Sequence, residues 1–509
     1  MKMGVEHSLL SAVLWLCLLF RLPCGLASEP LKPIIIIPGI AGSGLLGSRE
    51  ADAPVEGCSK KATSNFRLWA SYEELLTDQE CWTHMLEMSF DDSTMLYSNK
   101  TGVSIEPEDF GGTHGIAFLD YVAGYGVVGT KYMYEFLEGL HSVGYEEGKT
   151  LRALTYDWRL PPNQVNLGGF RIVIEESVKT TGQKALLVGH SLGTLYMNYF
   201  LNKEVDADWK AKHIEKFVAV SGTYGGAFKA VRALISGYND YVTFDLSNFL
   251  NISLISAANA RRVHRTCGSV YSLLPKTEVY GEDWRVAVID EPGDGVPPLY
   301  YTLRNWTQLL PPGLESRGQQ AFNEIERYGM KDPGVPVECL WSRFEQPQTD
   351  ISYHYTRPDL NEQPLRIYGF GDGTVPLASL SWCSTWPSTT FTHEFLNQDH
   401  MLQWQDHGVV TFIVELLTGR LPRFKTKPPT VFPAMRNNMT YMVQRLEGMV
   451  GAEGDHGREI EGERGGGREA FDWMRLKAQT RSQRASGDGV GAGEGVQQQQ
   501  LQQHDVIYQ

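Results

Sequence analysis

The chain has 509 residues, 42% of them hydrophobic and 11% aromatic, which is enough to bury a large core in one elaborated domain or in several. Its formal charge of -14, with no basic block to neutralise phosphates, argues against a nucleic-acid partner and leaves a lipid partner open.

The first segment reads as a secretory leader. Lys2 precedes an apolar stretch from Leu9 to Phe20, and Gly25-Leu26-Ala27 offers small residues for cleavage before Ser28. That stretch is short for a bilayer-spanning helix, so residues 1–27 are expected to be removed, with an uncleaved anchor as the alternative. Sequons at Asn99, Asn251, Asn305 and Asn438 fit passage through the secretory pathway. Once Cys17 and Cys24 leave with the leader, Cys58, Cys81, Cys267, Cys339 and Cys383 remain. None has zinc-site spacing, so structural disulfides with one free thiol are expected, and no metal.

Lys32-Pro33-Ile34-Ile35-Ile36-Ile37 reads as a buried β-branched strand, and Pro38-Gly39-Ile40-Ala41-Gly42-Ser43-Gly44 as the loop that leaves it. A strand running into a Gly-rich loop also opens dinucleotide sites. Here the G-x-G-x-x-G register and the acidic residue about 20 positions on are both missing.

At 185 the apolar run Ala185-Leu186-Leu187-Val188 leads into Gly189-His190-Ser191-Leu192-Gly193 and then into a helix-prone stretch from Thr194 to Leu201. A buried strand, a sharp turn and a helix are the context the G-x-S-x-G nucleophile elbow requires, whereas an ordinary Gly-rich turn is the bland alternative. In α/β hydrolases the N–H after the nucleophile pairs with one from the loop after an early strand to hold the developing negative charge. Those donors would be the backbone amides of Leu192 and Ile40.

The acid and then the base should follow the serine. Leu365 to Val375 reads as a strand entering the Gly371-Asp372-Gly373 loop, which makes Asp372 the candidate acid, with a plain surface turn or an acidic calcium-like loop as alternatives. His400 lies in a polar loop after an alternating strand and is the candidate base. His393, alternating with Phe391 and Phe395 inside that strand, suits a sheet histidine better.

Taken together, Thr155-Tyr156-Asp157-Trp158-Arg159, the elbow, Cys58-Ser59-Lys60-Lys61 with Cys81-Trp82, Gly371 to Val375 and Asp399-His400 resemble the lecithin:cholesterol acyltransferase family, in the same order over about residues 32 to 420. The resemblance implies an α/β-hydrolase core within residues 28–450, a cap inserted at about 222–335 and a small lid region at about 54–105. It implies a triad of Ser191, Asp372 and His400 and an oxyanion hole from Ile40 and Leu192. It also implies disulfides joining Cys58 to Cys81 and Cys339 to Cys383, with Cys267 unpaired. In the lid, Phe66, Leu68, Trp69, Tyr72, Leu75 and Leu76 resemble the membrane-binding part; the alternative is that they pack on the core. Asp157 and Arg159 would form a charged pair beside the site, or an ordinary strand-end ion pair. Ser221 to Gly226 resembles the loop that lines the acyl pocket, with Tyr224 where a tryptophan is expected. Two departures limit the comparison: no acidic side chain follows Pro38-Gly39, and Thr194 stands where one member has a free cysteine.

From about Gly451 onward the chain turns to Gly, Glu, Arg and Gln, which reads as a disordered tail over 451–509. The functional expectation is a secreted or lysosomal serine enzyme, with no cofactor, acting on phospholipid at a membrane or lipoprotein-like surface and passing the acyl group to water or a lipid alcohol. A phospholipid-sterol or diacylglycerol acyltransferase is the runner-up, and a lipid-binding pseudoenzyme belongs to a different class.

Overall fold

In the computed structural model six strands build a wholly parallel sheet: β1 (Ile34–Ile37), β2 (Leu151–Ala153), β3 (Ala185–His190), β4 (Ile214–Val220), β5 (Val337–Arg343) and β6 (Thr389–Leu396). Their order across the sheet is β6-β5-β4-β3-β1-β2. The structure describes residues 30–51, 58, 62–71, 74–75, 78–122, 125–126, 130–239, 243–245, 251–253 and 255–424, all in the unit Met1–Pro429. The expected leader, Tyr72, Leu76, Asn438 and the expected tail lie outside these residues.

A parallel sheet is covered on both faces, so its strands read as continuous apolar runs. All four isoleucines of β1 are fully buried, and the side-chain alternation of a strand sends them to two cores. Ile35 and Ile37 join Leu187 and Ala219 on one face, while Ile34 and Ile36 join Leu186, Val188, Val218 and Val220 on the other. Helices α1 (Tyr134–Ser142) and α4 (His407–Thr418) cover the second face through Phe136, Leu140, Val410 and Ile413, while α2 (Leu167–Thr181) and α3 (Leu192–Lys203) cover the first through Phe170, Ile174, Leu195 and Tyr199. Local sequence signals set the ends of α4: the Asp406 side chain accepts from Val409 N–H, and Gly419 closes the helix in the left-handed region.

Between β4 and β5 the chain leaves the sheet and builds the segment expected as the cap. Its helices Phe228–Ile235, Ala257–Thr266 and Leu314–Glu324 accompany strands Arg285–Ile289 and Leu299–Thr302. Those strands share a four-stranded sheet with Thr349–Tyr355 and Leu365–Gly369, which come after β5, so the cap sheet draws on both sides of residue 335. The strand expected within residues 365–375 is present as Leu365–Gly369, and it belongs to this second sheet.

One cap residue carries a stability cost. Lys276 is fully buried, its Nζ lies 3.4 Å from the Phe322 ring centroid, and it has no hydrogen-bond partner. Burial pushes its pKa down to about 7, with Glu326 pulling the other way. The unfolded chain binds a proton that the folded one withholds, so this residue makes stability rise with pH from about 7 toward the ordinary lysine range near ~10. Lys276→Met is expected to raise the unfolding midpoint by a few degrees at pH 7 and to weaken that slope. Thermal unfolding at pH 7, 8 and 9 checks it, and a midpoint unchanged or lowered at pH 7 contradicts it.

The segment expected as the lid contributes Thr63–Trp69 and Val103–Pro107 to a three-stranded sheet with Leu45–Arg49, and its helix Gln79–Leu86 is tied down by the Cys58–Cys81 disulfide. Leu68, Trp69 and Leu75 are buried, so in this structure they face the core and not a lipid surface. The reason is specific pairing. Trp69 packs edge-on against Trp158 at 4.8 Å and donates its indole N–H to the Ala41 carbonyl at 2.7 Å, while Trp82 donates to the Leu68 carbonyl at 2.9 Å. Phe66 is half-buried at the margin of the same cluster. This strand therefore braces the Gly-rich loop that leaves β1.

Candidate active site

The chain at the end of β3 must reverse sharply into α3, and Ser191 does so at φ 53° and ψ -126°, a conformation that side chains ordinarily avoid. The turn closes because Gly193 passes against the carbonyl oxygens of Ile37 and Pro38, where a Cβ would collide. Two loops from distant parts of the chain reach this serine. His400 Nε2 lies 2.8 Å from Ser191 Oγ, and His400 Nδ1 lies 2.5 Å from Asp372 Oδ2.

Asp372 is held as an acceptor. Its Oδ1 accepts the backbone N–H groups of Thr374 at 3.1 Å and Val375 at 2.8 Å, which leaves Oδ2 to the imidazole. The turn that allows this needs Gly373 at φ 83°. The Asp372 carbonyl also accepts the His400 N–H at 3.0 Å, so acid and base are joined through both backbone and side chain. With Ser191 4% exposed, His400 3% and Asp372 0%, the three groups sit away from bulk water. His393 stacks on Phe412 at 4.3 Å and meets Phe395 edge-on, which makes it a packing residue of β6.

Leu192 is the first residue of α3, and the leading N–H groups of a helix have no intrahelical acceptor. The loop carrying Ile40 lies against the nucleophile: a Cβ on Gly39 would stand 2.9 Å from Ser191 Cβ. Both expected oxyanion donors thus come from segments that touch Ser191.

Three residues that sequence reasoning did not assign surround this set. Tyr132 Oη lies 3.0 Å from Gly39 N and 2.6 Å from His190 Nδ1, while His190 Nε2 lies 3.0 Å from the His400 carbonyl. Gln403 donates to the same carbonyl at 2.6 Å and to Ser221 Oγ at 2.9 Å. Burial and the adjacent His400 hold the His190 pKa well below the usual histidine range, so its ring is neutral. His190 is the variable residue of the elbow, and Gln403 stands one turn beyond His400; no motif singles out Tyr132.

The family model described as Lecithin:cholesterol acyltransferase matches residues 65–285. The lysosomal phospholipase A and acyltransferase of Canis lupus familiaris is 31% identical over 360 residues, covering 70% of this chain and 82% of that protein. This chain belongs to the lecithin:cholesterol acyltransferase family. The phosphatidylcholine-sterol acyltransferase of Mus musculus is 27% identical over 372 residues, 70% of this chain and 78% of that one. A solved chain of the Tle4-Tli4 complex is similar at 12% identity and TM-score 0.43, covering 76% of this chain and 98% of that one.

Within this family member the disulfides pair Cys58 with Cys81 and Cys339 with Cys383, and Cys267 is free and buried, its thiol pushed up to about 12 by burial. The Asp157–Arg159 pair is buried and does more than end a strand. Arg159 grips both oxygens of Asp157, at 2.9 and 2.6 Å, and reaches the Leu86 carbonyl at 3.3 Å and the Asn99 side chain at 2.7 Å. It therefore fastens the segments holding Leu86 and Asn99 to the loop after β2. Tyr224 is buried and packs edge-on against Trp386 at 4.7 Å. Asn99 and Asn305 are half-buried, and Asn305 Oδ1 accepts the Thr302 N–H at 2.7 Å.

Proposed function

We propose that this protein is a serine lipid acyl hydrolase and transferase that cleaves a fatty acyl ester of glycerophospholipids and passes the acyl group to water or a lipid alcohol. The observation that carries the reading is the continuous line from Asp372 through His400 to Ser191 at the tip of a strained turn. His400 takes the Ser191 proton as the serine oxygen attacks the ester carbonyl, and the Leu192 and Ile40 amides hold the resulting oxyanion. Collapse expels the lysolipid alkoxide, which takes the proton back from His400. The acyl-serine is then attacked by water or an alcohol whose proton passes to His400, and collapse breaks the serine ester and returns that proton to Ser191 Oγ. Asp372 stabilises the imidazolium and keeps the proton-bearing nitrogen turned toward itself.

Burial of the triad supports transfer as well as hydrolysis, because an acyl-enzyme shielded from bulk water survives long enough to meet a lipid alcohol. Docking to a phospholipid membrane or lipoprotein-like surface, with residues 54–105 as the lid and 222–335 as the cap, belongs to the same proposal. So do a secreted or lysosomal location, supported by the leader-like composition of the first segment and by the disulfides, and glycosylation at the four sequons. Phosphatidylcholine liposomes with and without sterol, from acid to neutral pH, test it by mass analysis of the products against a Ser191→Ala blank. Free fatty acid and lysolipid are the expected products; steryl ester formed in preference moves the assignment to a phospholipid-sterol acyltransferase. Absence of any Ser191-dependent product overturns the enzyme reading in favour of a lipid-binding role.

A further inference from the structure

We infer that Tyr132 and His190 are positioning residues that set the spacing between the oxyanion loop and the catalytic histidine, through a hydrogen-bonded chain that bypasses Ser191. The inference rests on the roles proposed above for Ile40 and His400. Only one proton arrangement satisfies the chain. The His400 carbonyl can only accept, so His190 Nε2 carries the ring proton and its Nδ1 is a lone pair. Tyr132 must then donate its hydroxyl proton to Nδ1, which leaves its oxygen free to accept the Gly39 N–H. The order is Gly39 N–H to Tyr132, Tyr132 O–H to His190, and His190 N–H to His400, with each of the participating groups satisfied.

The topology explains why such a tie is needed. Gly39 leaves β1 and His400 follows β6, and β3, β4 and β5 lie between those strands, so main-chain pairing does not connect the two loops directly. Ser191 cannot serve as the tie, because its Oγ moves as it attacks and leaves. Tyr132 and His190 are 1% and 0% exposed, and His190 packs edge-on against Trp404, whose ring also meets Phe136 of α1 at a tilt. The chain therefore runs through a close-packed, poorly polarisable region where an unmade hydrogen bond is costly and positions are narrowly held. Gly39 immediately precedes Ile40, so a shift at Tyr132 reaches the oxyanion donor directly, and catalysis is sensitive to displacements of about 1 Å at this scale.

Tyr132→Phe, His190→Leu and the double variant test this in the full chain. The readouts are the rate of Ser191 labelling by a fluorophosphonate, kcat and KM on a soluble p-nitrophenyl ester, the count of labelled sites and the unfolding midpoint. Each single substitution is expected to lower the labelling rate and kcat per labelled site by about 10- to 100-fold, with KM and site count preserved and the midpoint lowered by a few degrees by the buried groups left unpaired. The double variant should be no worse than the worse single one, because either change breaks the same chain. A purely structural role would instead lower the midpoint or the number of labelled sites and leave the rate per labelled site unchanged. If His190→Leu does not fold, Tyr132→Phe decides alone. An unchanged kcat in Tyr132→Phe, or losses that multiply in the double variant, overturns the inference. A wild-type chain that labels but leaves phospholipid intact overturns the substrate assignment, and the labelling rates still decide the positioning role; one that does not label at all overturns both.

Discussion

Ser191→Ala is expected to lower turnover by about a million-fold and Asp372→Asn by about ten-thousand-fold, both without loss of thermal stability. Alanine keeps the Cβ that Ser191 already carries at φ 53°, so the strain of the turn is unchanged and only the nucleophile is lost. The asparagine case follows from the backbone around residue 372. Two N–H groups, from Thr374 and Val375, point at Oδ1, so an amide there keeps its oxygen toward them and turns its NH2 toward His400 Nδ1. The imidazole must then carry its proton on Nε2, facing Ser191, where it can no longer accept one. Measured kcat on a soluble ester, with circular dichroism to verify folding, decides between this and a merely structural acid. Asp372→Asn within tenfold of wild type would remove Asp372 from the triad.

Arg159→Met should cost about 3–5 kcal/mol of stability, the penalty for leaving one member of a buried ion pair without its partner. Arg159 is fully buried and its partner Asp157 is 9% exposed. Losing the guanidinium strands that carboxylate and also removes the donors to the Leu86 carbonyl and the Asn99 side chain, two anchors of the lid region. Adding Asp157→Asn to Arg159→Met deletes the buried charge and should recover part of the loss. Urea unfolding of the three proteins is the measurement. A single variant within 1 kcal/mol of wild type, or a double variant no more stable than the single one, contradicts the account.

The contrast between Arg159 and Trp69 shows what sequence reasoning reached and where it stopped. The strand at 34–37, the elbow at 189–193 and the loops at Asp372 and His400 were legible because each is a local pattern: an apolar run, glycines where a Cβ cannot fit, a strand ending in a polar turn. Leu68, Trp69 and Leu75 were ambiguous because an apolar stripe looks the same whether it faces lipid or core. The answer came from partners far away in the chain, Ala41 and Trp158. Arg159 read equally well as a strand-end pair, since its contacts to Leu86 and Asn99 are more than 50 residues distant.

By itself the sequence determined the chemistry available at the site: which residue is the candidate nucleophile, in what order acid and base follow, and that the strand before the serine is buried. Only the tertiary structure decided how those groups are held, through Tyr132, His190, Gln403 and the Thr374 and Val375 amides, and which face of the lid strand turns inward. The physical reason is that backbone strain and hydrophobic periodicity act between near neighbours and leave a local trace. A hydrogen bond across 58 residues, as from Tyr132 to His190, constrains two positions whose sequence contexts share nothing.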